Sequence, residues 1–376
     1  MKDLVGNCVS GAPPGGSPEP LLEERVASYF AEVKREVLEQ RGHFARKARW
    51  PGGRQFAACL THDVDNVERP LRHILSRRER FTTGGLLLAV LGVRSLYNNI
   101  GYVAKLERER GVRSTFFLMS SEYDLGKLKR QVDSLASEGW EFGLHGDFGT
   151  HDSADKMGEA LGKFEARLGR RPEGVREHYL QFDYSKTWGI LEGKGLLYDA
   201  TVGNRDSLGY RAGLCSPFRP PSSSWEPMNL IELPLVLMDT TLWGYLKLGE
   251  EEGLRRSFEM LAKVSALGGL FTLLWHQESV RMKGGRQFIP ILDRISREGC
   301  YVANGAEVAK WWAERAVPLV WEDGAYRLRG GPPRGLVLEV VAQEGLKPKA
   351  TGGKVLVEGK TTLVSVESKD FSLKVE

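Results

Sequence analysis

The sequence predicts an α/β protein: a distorted or incomplete (β/α)7–8 barrel, with a helical extension before it and a small all-β module after it. Three observations carry this. From residue 55 to about 312, short apolar runs alternate with helical stripes spaced i, i+3, i+4, i+7, the pattern of parallel strands joined by helical crossovers. Neither GxGxxG nor GxxxxGK[ST] follows the first apolar run, which argues against an open nucleotide-binding sheet. Beyond Pro318 the pattern becomes Gly-punctuated alternation with no helical stripe, as in short antiparallel strands.

Residues 1–20 are rich in Gly, Pro and Ser and read as a flexible tail. Residues 21–50 read as a helical extension, with Leu22, Val26, Tyr29, Phe30, Val33 and Val37 at helical spacing. The barrel is expected over 51–316. Its strand candidates are 55–61, 113–120, 141–146, 173–179, 196–202, 229–239, 269–276 and 300–305. Between them, Leu125, Leu128, Val132 and Leu135 form one helical stripe, and Leu254, Phe258, Leu261 and Val264 another. Residues 317–376 predict about five short strands, too few residues for an independent core, so this module is expected to lean on the barrel.

The 376 residues, 41% hydrophobic and 27% charged with a net charge of +4, describe a globular chain rather than a disordered one. No finger, RNA-binding signature or strongly basic domain is present, so no nucleic-acid partner is expected. Cys8, Cys59, Cys215 and Cys300 are scattered without a CxxC pair, which fits a reducing compartment. The N-terminus has no apolar core of a secretory signal, and Gly84–Val93 is about half of the roughly 20 residues a spanning helix needs. A cytoplasmic location follows as the expectation.

In a parallel barrel, chemistry gathers at the C-terminal ends of the strands. Those ends carry His62, Asp63 and Asp65; His145, with Asp147 and His151 beyond; Arg176, His178 and Tyr179; Asp239; and His276. Five of the seven histidines thus fall in or just past strand ends, and only His43 and His73 do not. Singly, each has a structural explanation: an Asx turn or N-cap for Asp63 and Asp65, a hydrogen-bonded core histidine for His145 or His276. Convergence from separate strands favours function. His62 alternates with Asp63 and is expected in the barrel wall, and His151 stands where a helix begins. Carboxylates and imidazoles around one mouth suit a divalent metal with an open water position, hence metal-assisted hydrolysis of an amide or ester.

The motifs "LTHDVDN", "GWEFGLHGDFGTHDS", "VREHYLQFD", "ELPLVLMDTTL" and "LLWHQES", in this order, resemble the polysaccharide deacetylases of carbohydrate esterase family four, the NodB-homology domain, and more closely a prokaryotic subgroup with a T-H-D-V-D first motif. The resemblance covers about residues 55 to 312. It implies removal of an N-acetyl or similar acyl group from a sugar or glycan, using one divalent metal, zinc first, with cobalt, manganese or nickel as alternatives. It implies Asp63 as base and Asp65 as metal ligand; the intervening Val64 departs from the adjacent pair, so the two roles are exchangeable. His145 matches the first metal histidine. Four residues later stands Gly149, so the remaining ligand is His151, His178 or water. Arg176 would orient Asp63, the Tyr179 N–H would help bind the oxyanion, and His276 would act as general acid with Asp239 as its partner. The same motifs also admit an amidohydrolase of a small non-sugar amide, or a decayed glycan-binding protein.

Trp188, Trp225 and Trp243 are candidate sugar-stacking faces, with at least half of them expected in the core. The segment from Asn66 to Arg80 holds five arginines against two glutamates, net +3, and "LLLAVLGV" follows shortly. It reads as a solvated helix docked by its apolar partner. Its functional counterpart is a lid over residues 66–93 that meets a lipid-linked substrate or a membrane surface weakly.

Overall fold

The computed structural model describes residues 19–69, 71–76, 78–91 and 95–376. The expected tail, residues 1–18 of it, lies outside them, as do Arg77 and Val93 of the insert.

The chain enters through helix α1 (Leu21–Arg41), which ends at Gly42 in the left-handed conformation, φ 74°. Strand β1 (His43–Lys47) follows, within the stretch expected to be helical, and its partner lies in the C-terminal module. The barrel then opens with β2 (Ala57–Val64), whose eight residues are all buried. Next come β3 (Thr115–Met119), β4 (Glu141–Gly146), β5 (Gly174–Glu177), β6 (Tyr198–Asp199), β7 (Ile231–Glu232), β8 (Leu237–Met238), β9 (Leu270–Leu274) and β10 (Tyr301–Val302). All pair in parallel, in the order β7-β6-β5-β4-β3-β2-β9-β8, with β10 against the start of β2.

The expected strand over 229–239 is split into β7 and β8 for a geometric reason. β7 pairs with β6, and β8 pairs with β9 at the other end of the order. Between them the Leu235 N–H donates to Val202 O at 2.9 Å, and the Val236 N–H to Thr272 O at 3.1 Å. One short segment thus bonds first to one edge and then to the other, so the sheet curls into a distorted barrel of seven staves.

Helices clothe this sheet: α2 (Leu71–Ser76) and α3 (Thr83–Val90) in the insert, then α4 (Ile100–Arg108), α5 (Lys129–Ser137), α6 (Ala154–Leu168), α7 (Thr187–Gly193), α8 (Glu250–Leu267), α9 (Phe288–Arg297) and α10 (Gly305–Glu314). Alternation along β2 sorts its side chains. Ala58, Leu60 and Val64 join the helix-facing core with Phe116, Ile100 and Phe288, while Ala57 and Cys59 face inward with Phe117, Tyr198 and Leu270. The same period of two sends His62 outward and Asp63 inward.

The C-terminal module has seven strands rather than five: β11 (Leu319–Glu322), β12 (Ala325–Leu328), β13 (Val337–Ala342), β14 (Pro348–Thr351), β15 (Val355–Val357), β16 (Thr362–Ser365) and β17 (Ser372–Val375). They form two antiparallel sheets, β1-β13-β16-β15 and β11-β12-β17-β14. As expected, the module leans on the barrel. Leu338, Tyr326 and Phe371 share one buried cluster with Trp50, Trp311 and the inward residues of β2. The Trp50 indole donates to Gly268 O at 2.9 Å and the Trp311 indole to Arg49 O at 2.7 Å, fixing the segment after β1 on the barrel, and the Ala48 N–H of that segment donates to Val337 O of the module at 2.8 Å.

The insert packs beside the barrel mouth. Ile74, Phe81, Leu96 and Tyr97 cluster with Met282, and Phe81 forms a β-bridge with Met282. It exposes Leu75, Leu87, Val90 and Leu91 together with Arg69, Arg72, Arg78 and Arg80. No helix among the described residues is long and apolar enough to cross a membrane.

Candidate metal centre and active site

At the C-terminal mouth of the barrel lies a cavity of about 350 Å³, lined by Asp63, Asp65, His145, His178, Tyr179 and His276, and also by Glu278, Arg80, Arg205, Trp243 and Tyr245. Four strand ends supply its floor. β2 carries Asp63 inward and presents Asp65 one residue beyond its end. The hydroxyl of Tyr123 anchors this end by donating to Val64 O at 2.7 Å.

His145 comes from β4. Its Nδ1–H donates to Arg176 O at 2.7 Å, which leaves the Nε2 lone pair turned to the cavity. That Nε2 lies 3.2 Å from Asp65 Oδ1, 3.0 Å from His178 Nδ1 and 3.7 Å from Asp63 Oδ2. His178 reaches this point because the chain turns abruptly after β5. Tyr179 and Leu180 hold φ of 58° and 52°, left-handed values that cost a non-glycine residue about 1–3 kcal/mol each and collect at functional sites.

Asp65, His145 and His178 are the only group of three among the described residues whose ligand atoms lie within 4.8 Å of one another. The fit to a divalent cation rests on two further observations. Asp65 Oδ1 is buried and accepts no hydrogen bond. The facing nitrogens of His145 and His178 include one that must be a bare lone pair. Electrostatics favour an ionised Asp65: burial would raise it, yet its contact with His145 and the charge of His276 hold its carboxyl well below the usual range, while Asp63 and Asp65 raise His145 against its burial. Burial, then the neighbouring His145, pushes His178 down to about 4, leaving it neutral as a ligand must be. His151 is not part of the group. Its carbonyl accepts from Thr187 Oγ1 at 2.7 Å, out on the α6–α7 side, and Gly149 occupies the expected ligand position with φ 83°.

Two acid–base pairs flank this group. Asp63 faces Arg176, whose Nη1 is 3.9 Å from Asp63 Oδ1. Arg176 is wholly buried, with its guanidinium carbon 5.0 Å from the Phe117 ring centroid, and its three nitrogens donate no hydrogen bond among the described residues. On the other side, His276 Nδ1 donates to Asp239 Oδ1 at 2.7 Å, and its backbone N–H to Asp239 Oδ2 at 3.0 Å. His276 Nε2 then points to the cavity, 3.9 Å from Asp65 Oδ2. Burial would lower His276, but the Asp239 carboxylate beside it prevails and raises it well above the ordinary histidine value.

His62 lies in the wall, as its alternation with Asp63 predicts: Nδ1 bonds Trp275 O at 2.6 Å and Nε2 meets Glu107 Oε1 at 2.9 Å. Of the three tryptophans, Trp188 is buried and donates to Glu232, Trp225 is exposed, and Trp243 lines the cavity. Sequence reasoning missed Glu278 and Arg205. Glu278 stands two residues after His276; burial and then the Asp65 charge push it up to about 8, so it is largely protonated at neutral pH. Position in "WHQES" was the only available signal. For Arg205, in a long irregular loop, there was none.

No protein-family model matches the chain, and no curated protein matches it. Solved structures do. A protein assigned as a polysaccharide deacetylase from Mycobacterium smegmatis is 19% identical, with 70% of this chain and 92% of that one covered and a TM-score of 0.51. PuuE allantoinase is 16% identical over 71% and 93%, TM-score 0.51. A second protein assigned as a polysaccharide deacetylase, from Pseudomonas aeruginosa PAO1, is 17% identical over 72% and 95%, TM-score 0.50. The barrel, its strand order and these neighbours together show that this chain has the polysaccharide deacetylase fold.

Proposed function

We propose that this protein is a metal-dependent hydrolase that removes an N-acetyl or similar acyl group from a sugar or glycan. The single observation that carries the reading is the arrangement in one cavity: Asp65, His145 and His178 converge between Asp63 with Arg176 on one side and His276 with Asp239 on the other. A binding protein has no use for a separate base and acid.

Asp65, His145 and His178 would hold one divalent ion, with zinc the first choice for a carboxylate and two imidazoles; such an ion makes water acidic and polarises a carbonyl. Asp63 takes the proton from the attacking water, and Arg176 keeps a positive charge beside that carboxylate. His276, with Nδ1–H fixed on Asp239, presents Nε2 to the departing amine and delivers a proton there. Tyr179 lies at the rim and its backbone N–H is assigned to the oxyanion, the role donors preorganised for developing charge perform. The unpaired, scattered thiols of Cys59, Cys215 and Cys300 favour a reducing compartment, hence the cytoplasm. The exposed leucines and arginines of the insert suit weak attraction to a membrane surface carrying a lipid-linked glycan.

A second reading, hydrolysis of a small non-sugar amide, is favoured by the size of the cavity, about 350 Å³ with the insert on its lip, and by the similarity to an allantoinase fold. Metal-loaded protein offered N-acetylglucosamine oligomers and small cyclic amides in parallel decides between them. Acetate release from the sugars supports the first reading. Turnover of the amides alone supports the second, and no turnover of either contradicts both.

A further inference from the structure

The cavity separates its charges by exposure. Its acids are buried or half-buried and each has a partner: Asp63 faces Arg176, Asp65 faces the imidazoles, and Glu278 Oε2 accepts from Gln277 at 3.0 Å. Its arginines, Arg80 and Arg205, stand at the lip, exposed, and neither forms an ion pair with any carboxylate among the described residues.

Both are held by fixed backbone. Arg80 ends the short turn Arg78–Arg80, and the next residue, Phe81, is buried and bridged to Met282 of the cavity wall. Arg205 accepts at its carbonyl from Thr241 Oγ1 at 2.8 Å, and its guanidinium carbon lies 5.8 Å from the Tyr245 ring centroid. They come from different loops, the insert after β2 and the connection after β6, and meet over the same cavity. Trp243, which lines the same cavity, adds an indole N–H that is buried and has no acceptor among the described residues. Two guanidinium groups and one indole N–H thus line the same cavity. Of these donors only the Trp243 N–H is desolvated, which is costly without an acceptor; a ligand rich in anionic oxygens would satisfy it and pair the two exposed guanidinium groups.

We propose that the substrate carries an anionic group, carboxylate or phosphate, next to its acylated nitrogen, and that Arg80 and Arg205 grip this group while the acyl end reaches the floor. The inference deepens the reading of the site as a deacylase and rests on it.

The test uses the full metal-loaded chain with Asp63→Asn to stop turnover, and calorimetry at low salt with three probes: the methyl glycoside of N-acetylglucosamine, its 6-carboxylate, and N-acetylglucosamine 1-phosphate. The expected result is that one or both anionic probes bind at least about tenfold tighter than the neutral glycoside, a typical worth of a charge-assisted contact. The stronger of the two identifies the source of the charge. Arg80→Gln and Arg205→Gln, added singly and together, then erode that preference. Equal binding of all three probes overturns the proposal, as does a preference that survives in the double arginine variant, since the metal centre would then be holding the anion. Acetate release by the unmodified enzyme is scored separately. Release without anion preference sinks this inference alone; anion preference without release from any probe sinks the deacylase reading alone.

Discussion

Asp239→Asn isolates the contribution of the His276 pair. Asp239 is wholly buried and accepts three hydrogen bonds: from His276 Nδ1 at 2.7 Å, from the His276 backbone N–H at 3.0 Å and from the Thr240 backbone N–H at 2.6 Å. A carboxylate has lone pairs for all three, and a carboxamide does not. However the amide is turned, its NH2 meets a buried N–H, either that of the His276 backbone or the pair formed by Nδ1–H and Thr240. One such orphaned donor costs about 1–3 kcal/mol, which lowers Tm by about 2–12 °C in a barrel of this size. Catalysis suffers separately. With the anionic partner gone, burial acts on His276 unopposed and lowers it, so the alkaline limb of kcat/KM moves to lower pH. The rate on an amide falls by about 10²–10⁴, the usual worth of a positioned acid, equivalent to about 2.7–5.4 kcal/mol of transition-state stabilisation. The assay compares an N-acetyl sugar with 4-nitrophenyl acetate across pH. Because 4-nitrophenolate departs without a proton, the ester loses less than about tenfold if His276 is the acid. Equal losses on amide and ester would refute the assignment and leave the pair a structural role.

Other expectations follow from the same geometry. Asp63→Asn keeps the metal, since Asp63 is outside the three-residue group, and loses about 10²–10⁴ in kcat; metal content and rate on one preparation check both halves. His178→Ala weakens metal affinity while His151→Ala leaves it unchanged, as a competition titration with a chelating dye reads directly. At the junction of barrel and module, Lys47 donates to the carbonyls of Arg315 and Val317, and burial, then Arg315, lowers it from 10.5 to about 8. A folded value below the unfolded one means the folded chain sheds this proton first, so stability rises as pH climbs from about 8 to 10.5. Urea unfolding at the two pH values detects the rise in wild type and its absence in Lys47→Met.

Much of this was legible in the sequence because the barrel repeats one rule: an apolar run, then a chemical residue at its end. The convergence of the ends of β2, β4, β5 and β9 on one mouth needed only that rule and the parallel order. The period of two along "ACLTHDV" was enough to send His62 to the wall and Asp63 to the cavity; Glu107 as the partner of His62 came only with the fold. What was not legible depends on distant partners. β1 was read as part of a helical extension because His43 pairs with Ala342, nearly 300 residues away, and nothing local announces such an edge. The break between β7 and β8 likewise arises from closing the ring, not from the residues within it. The choice of His178 over His151 turned on the left-handed backbone at Tyr179 and Leu180, which sequence does not reveal for non-glycine residues. The donor lip formed by Arg80 and Arg205 required knowing how two irregular loops meet.

Metal content tests the central claim most directly: elemental analysis of purified wild type and Asp65→Ala, side by side and again after reconstitution. The geometry predicts about one zinc, cobalt, manganese or nickel per chain in the wild type and its loss when the Asp65 carboxylate is removed. A stoichiometric metal that persists in Asp65→Ala, or no metal in either protein after reconstitution, would contradict the account.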